Sequence, residues 1–274
     1  MKKHFLFALC FCAIAFPLFA EPIKVETSSG VLVGETQDNI NIYKGVPYAK
    51  APIGELRWRP PQTNKWTGEL VASEFSLPCL QTTYPDRANG GGVSGDSSED
   101  CLTLNIWAPS NADKAPIMVW IFGGGGVVGA GSVSTYDGNN FARDGIILVT
   151  INYRLGALAG FAHPALTKEA KATESGGEQG FANYHLLDAM AALRWMKTNA
   201  AVFGGDSNNL TVFGESAGAT ITANLVTSPM AKGLFDKAII ESTGSLPTGR
   251  ASTHSSDSNT VTWSRYEPQN KYRQ

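Results

Sequence analysis

Residues Gly214-Glu215-Ser216-Ala217-Gly218 have the form G-x-S-x-G and raise the chemical question of this chain. A serine hydroxyl is a weak nucleophile until a base takes its proton and an acid orients that base. The pentapeptide alone is a weak signal; its surroundings make it specific. The apolar run Leu210-Thr211-Val212-Phe213 leads in and glycines flank it. A helical pattern leads out through Ala219, Ala223 and Val226 to about Thr227, ahead of Pro229. Strand, tight turn and helix are what a nucleophile elbow needs. A serine there sits at a helix N-terminus, where the dipole favours developing negative charge.

Attack on an acyl carbon also needs donors for the tetrahedral oxyanion, each worth roughly 3 to 4 kcal/mol when removed. One is the N–H of Ala217, the residue after the serine. The others are expected from Gly123-Gly124-Gly125-Gly126, which follows the apolar run Ile117 to Phe122 and offers bare amides. A phosphate-cradling loop is the other use of such glycines, but no Lys-Ser/Thr pair and no G-x-G-x-x-G helix entry follow.

The base and the acid are harder to find. In an elbow fold they lie on later strand–helix units. After Ser216 the sequence offers one apolar strand, Ala238 to Ile240, and one histidine, His254. His254 falls in Ser245–Gln274, a polar stretch with no period of 2 or 3.6 that reads as a divergent, disordered tail. His163 reads as a loop residue and His185 as a helix residue. The expectation is therefore that the triad acid and histidine are absent and that this chain is a poorly active form.

The elements that must position these groups are legible as runs. Ile117 to Phe122, Ile146 to Ile151, Leu210 to Phe213 and Ala238 to Ile240 are apolar without alternation. Such runs suit strands buried on both faces, as in a parallel sheet flanked by helices. Leu186, Met190, Leu193 and Met196 recur at helical spacing and predict a helix from about Tyr184 to Ala201. Alternating strand and helix indicate an α/β fold. Before Ala108 the reading is coarser. A hairpin turn is expected between Thr27 and Gly34, irregular chain from Pro47 to Pro61, and a flexible polar loop from Asn89 to Ser98.

The chain has 274 residues, 43% hydrophobic and 17% charged, enough for a real core. A formal net charge of -2 gives no electrostatic reason to expect nucleic acid or an anionic membrane as partner. No cofactor or metal is expected. Lys2, Lys3 and His4, then apolar Phe5 to Phe19, then Ala20 read as a secretory signal peptide spanning residues 1–20. The alternative, an uncleaved anchor, is disfavoured because the run is shorter than the roughly 20 residues that span a bilayer. Periplasmic or secreted location follows, with no stable membrane span after signal removal. Removal of that segment leaves Cys79 and Cys101, most simply one disulfide worth roughly 3 kcal/mol. Two free buried thiols are the alternative if the chain is not exported.

Several separate motifs now support a resemblance. Glu99-Asp100-Cys101-Leu102-Thr103-Leu104-Asn105 is similar to the signature E-D-C-L-x-L-N of the type-B carboxylesterases, the α/β-hydrolases related to cholinesterases. Phe213 to Gly218 resembles their active-site signature. Lys44 to Ala49, Asn152 to Gly156 and Phe203 to Asp206 read as further landmarks of that family. The resemblance covers about Val31 to Gly244. It implies an α/β-hydrolase fold with a mostly parallel central sheet, cut after the elbow and the next strand, so that residues 21–244 form a partial domain. It implies an acyl-enzyme on Ser216, a small-molecule ester substrate, oxyanion amides at Gly124, Gly125 and Ala217, and a Cys79–Cys101 bridge. It also implies ion pairs of Arg57 with Glu99 and Arg154 with Asp188, and an electrostatic role for Glu215. The chain departs from the family where Gly126 replaces an aromatic residue and where His185 and Ala189 replace Gly and Gln. A truncated or frame-shifted product is one reading of the change after Gly244. A non-catalytic binding module on the same fold is the alternative function.

Overall fold

The computed structural model describes residues 21–82, 93–172 and 183–243. The expected signal segment, the start of the polar loop at Asn89, Gly244 and the expected tail with His254 lie outside the described residues.

Nine strands form one sheet. They are β1 (Glu21–Thr27), β2 (Gly30–Gln37), β3 (Ile40–Pro47), β4 (Glu69–Val71) and β5 (Thr103–Pro109), then β6 (Ala115–Ile121), β7 (Ile147–Ile151), β8 (Gly205–Glu215) and β9 (Lys237–Glu241). Their spatial order is β1-β2-β3-β5-β7-β6-β8-β9, with β4 beside β2. Along the path β1-β2-β3-β5-β7 every pairing is antiparallel, and β4 adds a parallel pairing with β2. From β7 through β6 and β8 to β9 every pairing is parallel. The sheet is thus mixed, and its parallel part carries the expected elbow.

Local chemistry accounts for the hairpins at the start. Between β2 and β3 the two-residue turn Asp38–Asn39 has both φ angles positive, 52° and 62°. That is the type I′ pattern whose twist matches paired strands, and Asp and Asn tolerate it. The β1–β2 turn is held by the Thr27 hydroxyl, which accepts the N–H groups of Ser29 and Gly30 at 3.2 Å each. The sequence reading missed β3, β4 and β5 as strands. β5 is buried throughout despite its polar Thr103 and Asn105. Asn105 is tolerated there because Oδ1 accepts Gly45 N–H at 2.9 Å and Nδ2 donates to Thr150 Oγ1 at 2.9 Å.

Five α-helices lie among the described residues: α1 (Asn139–Arg143), α2 (Gly156–Gly160), α3 (Pro164–Ala172), α4 (Tyr184–Asn199) and α5 (Ala217–Thr227). α4 buries Met190, Leu193 and Met196, as its spacing predicts, in one core with Ile117, Val119, Ile121, Leu210 and Val212 of β6 and β8. Both implied ion pairs form. Arg154 grips Asp188 through Nε and Nη2 at 2.9 and 2.7 Å, with both side chains buried. Arg57 holds Glu99 the same way at 2.6 and 2.7 Å nearer the surface. Cys79 and Cys101 are joined as a disulfide.

Candidate active site

The site is built where two neighbouring parallel strands end. β6 and β8 pair so that Ile121 faces Gly214, which brings the chain leaving β6 level with the chain leaving β8. The glycine loop Gly123–Gly126 and the elbow are therefore neighbours by register. Contact between them is close enough to demand glycine. A Cβ on Gly123 would stand 2.7 Å from Glu215 Oε2 and 3.1 Å from Ser216 Cβ. A Cβ on Gly218 would drive into the Ile121 carbonyl. Small residues around Ser216 thus let β6, the loop and α5 converge on one point.

Ser216 itself has φ 55° and ψ -117°, a strained conformation for a residue with a side chain. It is over-determined by its neighbours. Its N–H donates to Glu241 O at the end of β9 at 2.9 Å, and its carbonyl accepts Thr220 N–H of α5 at 3.0 Å. The turn leaves Ser216 half-buried, immediately before the first residue of α5. Strand, strained serine and helix follow one another as the sequence pattern predicts. Ala217 opens the helix, with its backbone N–H among the unsatisfied first-turn donors that a helix offers.

The glycine loop takes positive φ at Gly124, Gly125 and Gly126 (103°, 65° and 71°), and Gly125 is exposed. Gly124 O accepts the N–H groups of Val127 and Val128 at 3.1 and 3.2 Å, closing the loop on itself. Gly126 O accepts Gly156 N–H at 2.7 Å, and a side chain at 126 would meet open space. Behind the loop, Tyr153 donates its hydroxyl to Phe122 O at 2.6 Å and stacks on the Phe122 ring. Burial pushes the Tyr153 phenol far up, so it stays a donor. Tyr136 is also held above its ordinary range, by burial first and then by the Glu215 carboxylate. Tyr136 and Gln81 escaped the sequence reading because single polar or aromatic residues outside regular strands and long helices carry no periodic signal, whereas Tyr153 fell within the Asn152 to Gly156 landmark.

The two described histidines, His163 and His185, have partners of their own. His163 accepts Ala165 N–H at 3.2 Å and stacks on Phe161. His185 is held by the backbone of Ala159, and burial pushes its imidazole below the ordinary range. No group of three or more His, Cys, Asp or Glu side chains able to hold a metal occurs among the described residues. No described helix is long and apolar enough to cross a membrane.

Comparison with known proteins agrees with this geometry. Fumonisin B1 esterase of Sphingopyxis macrogoltabida is 41% identical over 236 residues, covering 82% of this chain and 42% of its own. Para-nitrobenzyl esterase of Bacillus subtilis (strain 168) is 41% identical over 227 residues, covering 80% of this chain and 43% of its own. Among solved structures, a thermophilic PNB esterase superposes with a TM-score of 0.70 at 40% identity, covering 79% of this chain and 43% of that one. A Geobacillus stearothermophilus carboxylesterase gives 0.67 at 40% identity, over 78% and 42%. The chain thus spans less than half the length of the relatives it matches. The profile of the carboxylesterase family matches residues 21–263, and this chain belongs to that family.

Proposed function

We propose that this chain carries the nucleophile and oxyanion part of a serine carboxylic-ester hydrolase acting on small-molecule esters. The observation that carries the reading is the strained Ser216 at the β8–α5 junction, in contact with Gly123 of the glycine loop. Ser216 Oγ attacks the ester carbonyl carbon, the carbonyl π electrons move to oxygen, and the amides of Gly124, Gly125 and Ala217 hold that oxyanion. Collapse breaks the bond from the carbonyl carbon to the alkoxy oxygen, leaving an acyl-Ser216, and the alcohol departs with the proton that Ser216 gave up. Water then releases the acyl group as the acid while its other proton returns to Ser216 Oγ. No cofactor takes part. Relatives named for fumonisin B1 and para-nitrobenzyl esters support ester cleavage as the reaction class.

The same proposal covers the organisation of the chain. Residues 1–20 direct export to the periplasm or beyond, and residues 21–244 form the partial hydrolase domain. Divergence from it lies within 245–274, a stretch into which the family match runs as far as residue 263. A disulfide between Cys79 and Cys101 supports an oxidising destination. N-terminal sequencing of exported protein checks the cleavage after Ala20.

The decisive test is covalent. An alkyl fluorophosphonate in excess is expected to leave its adduct on the Ser216 peptide, read by mass spectrometry, and not on Ser216→Ala. Labelling is expected to be slow. Multiple turnover of a p-nitrophenyl ester by residues 21–274 is expected to stay at the Ser216→Ala level, since losing triad members costs on the order of 10⁴ to 10⁶ in rate. An adduct elsewhere, or none, overturns the assignment of Ser216.

A further inference from the structure

The glycine loop has to hold its shape before any substrate arrives, because oxyanion donors work by being pre-positioned. Its anchors can be traced one by one. At the near end Gly123 is wedged against Glu215 and Ser216. At the far end Gly131 is fixed from the sheet: its N–H donates to Asn152 Oδ1 at 2.8 Å, and its carbonyl accepts Thr150 Oγ1 at 2.8 Å. Between them stands Gly129, with φ 124° and the Phe122 ring against its α-carbon. Its peptide groups bond to one side chain. Gly129 N–H donates to Gln81 Oε1 at 2.8 Å, and Gln81 Nε2 donates back to Gly129 O at 2.8 Å.

Gln81 is itself tied down. Its Nε2 also donates to Cys79 O at 3.0 Å, two residues back and inside the disulfide. Cys79 bridges to Ser98 in strand fashion, with Ser98 N–H donating to Pro78 O at 2.9 Å. One carboxamide thus joins the disulfide-bonded ring to the loop.

We infer that Gln81 is a positioning residue for the oxyanion loop, acting through Gly129 on Gly124. The path is a single peptide plane. The Gly129 N–H that Gln81 holds belongs to the same peptide as the Val128 carbonyl. That carbonyl oxygen lies against Gly124 so closely that a Cβ there could not exist. Rotating the Val128–Gly129 peptide would therefore move the oxygen into or away from Gly124 and re-aim the amides beside it. Gln81 resists that rotation by accepting Gly129 N–H, and its bond to Gly129 O holds the next peptide, so the two peptides that meet at the Gly129 α-carbon are both held. The disulfide keeps Gln81 where it can do so. Glutamine suits the task because one planar group serves an N–H and two carbonyls at once.

This inference rests on the oxyanion reading proposed above, so its first readout is independent of Ser216 chemistry. In Gln81→Leu, hydrogen exchange in the peptide spanning 123–131 is expected to accelerate at least about tenfold, the loss of a bond or more of local protection. Peptides of β6 and β8 keep wild-type protection. Unchanged exchange in 123–131, or acceleration spread equally through β6 and β8, overturns the inference. Gln81→Glu supplies the conservative check. Its carboxylate still accepts Gly129 N–H but meets the Gly129 and Cys79 carbonyls with no proton. Protection is lost at neutral pH and returns as pH falls and the carboxyl regains a donor; a pH-independent loss counts against the inference. The second readout is the rate of Ser216 phosphonylation. Gln81→Leu is expected to slow the chemical step by about 10- to 100-fold with little change in reversible affinity, the cost of misplacing transition-state donors. Selective loosening with wild-type labelling overturns the positioning role. If wild-type Ser216 takes no label, the proposed function fails, and hydrogen exchange alone decides whether Gln81 pins the loop.

Discussion

β7 and β9 are both five-residue strands in the same sheet, and both enter it in parallel pairing with a neighbour. Their sequences, Ile-Leu-Val-Thr-Ile and Lys-Ala-Ile-Ile-Glu, led to one expectation: burial on both faces. The structure divides them. Every residue of β7 is buried, with β5 on one edge and β6 on the other. Every residue of β9 is exposed, with Ile239 and Ile240 at 43% and 38%, and β8 is its one partner among the described residues. An apolar run states what cover a strand calls for; it does not say which part of the chain supplies it. The comparison also places Ser216, whose N–H is held by Glu241 at the end of the exposed strand and whose flanking loop is braced by the buried one.

The sharpest way to test the comparison is to strike the polar pair that β7 delivers into the core. Three residues past β7, Arg154 and Asp188 have side chains 3% and 0% exposed. Asp188→Ala removes the acceptor of the Nε and Nη2 bonds and of Arg154 N–H, leaving a buried cation without its counter-charge and with Arg59 O as the acceptor of Nη1. The expected loss is about 3 to 5 kcal/mol in denaturant unfolding, or no soluble protein. Next in size is Ile151→Ala at the end of β7, where exposure is 0%. Lost transfer energy and the residual cavity together cost about 2 to 5 kcal/mol. Either variant unfolding at the wild-type midpoint would mean that the β7 side is not the rigid half of the molecule.

How far the fold was legible follows the same division. The parallel strands β6 to β9, α4 and α5 were readable because unbroken apolar runs and 3.6-residue spacing are strong local signals. The antiparallel strands β3 and β5 were not, because Gly45, Pro47, Thr103 and Asn105 break any apolar run. Their burial depends on partners distant in the chain, such as Thr150 for Asn105. In the site, Ser216 and the glycines were legible from residue type and order. Gln81 was not, since nothing about a lone glutamine announces that it will meet Gly129, 48 positions away. Both ion pairs came from resemblance to a family alone, whereas the disulfide also followed from the two cysteines left after signal removal; the geometry shows all three.

The smallest expected effect carries the comparison to its limit. Ile239 sits at the centre of β9 with 43% of its surface open, and an exposed apolar edge invites pairing with another chain. Ile239→Lys places a charge at mid-strand, a residue type that natural edge strands use to block such pairing. Because little cover is lost, folding stability is expected to stay within about 0.5 kcal/mol of wild type. Self-association, followed by sedimentation across a concentration series, is expected to fall. The informative failure is a large one. If Ile239→Lys costs as much as Ile151→Ala, then β9 is covered in solution by something outside the described residues, and the two strands differ in who covers them rather than in whether they are covered.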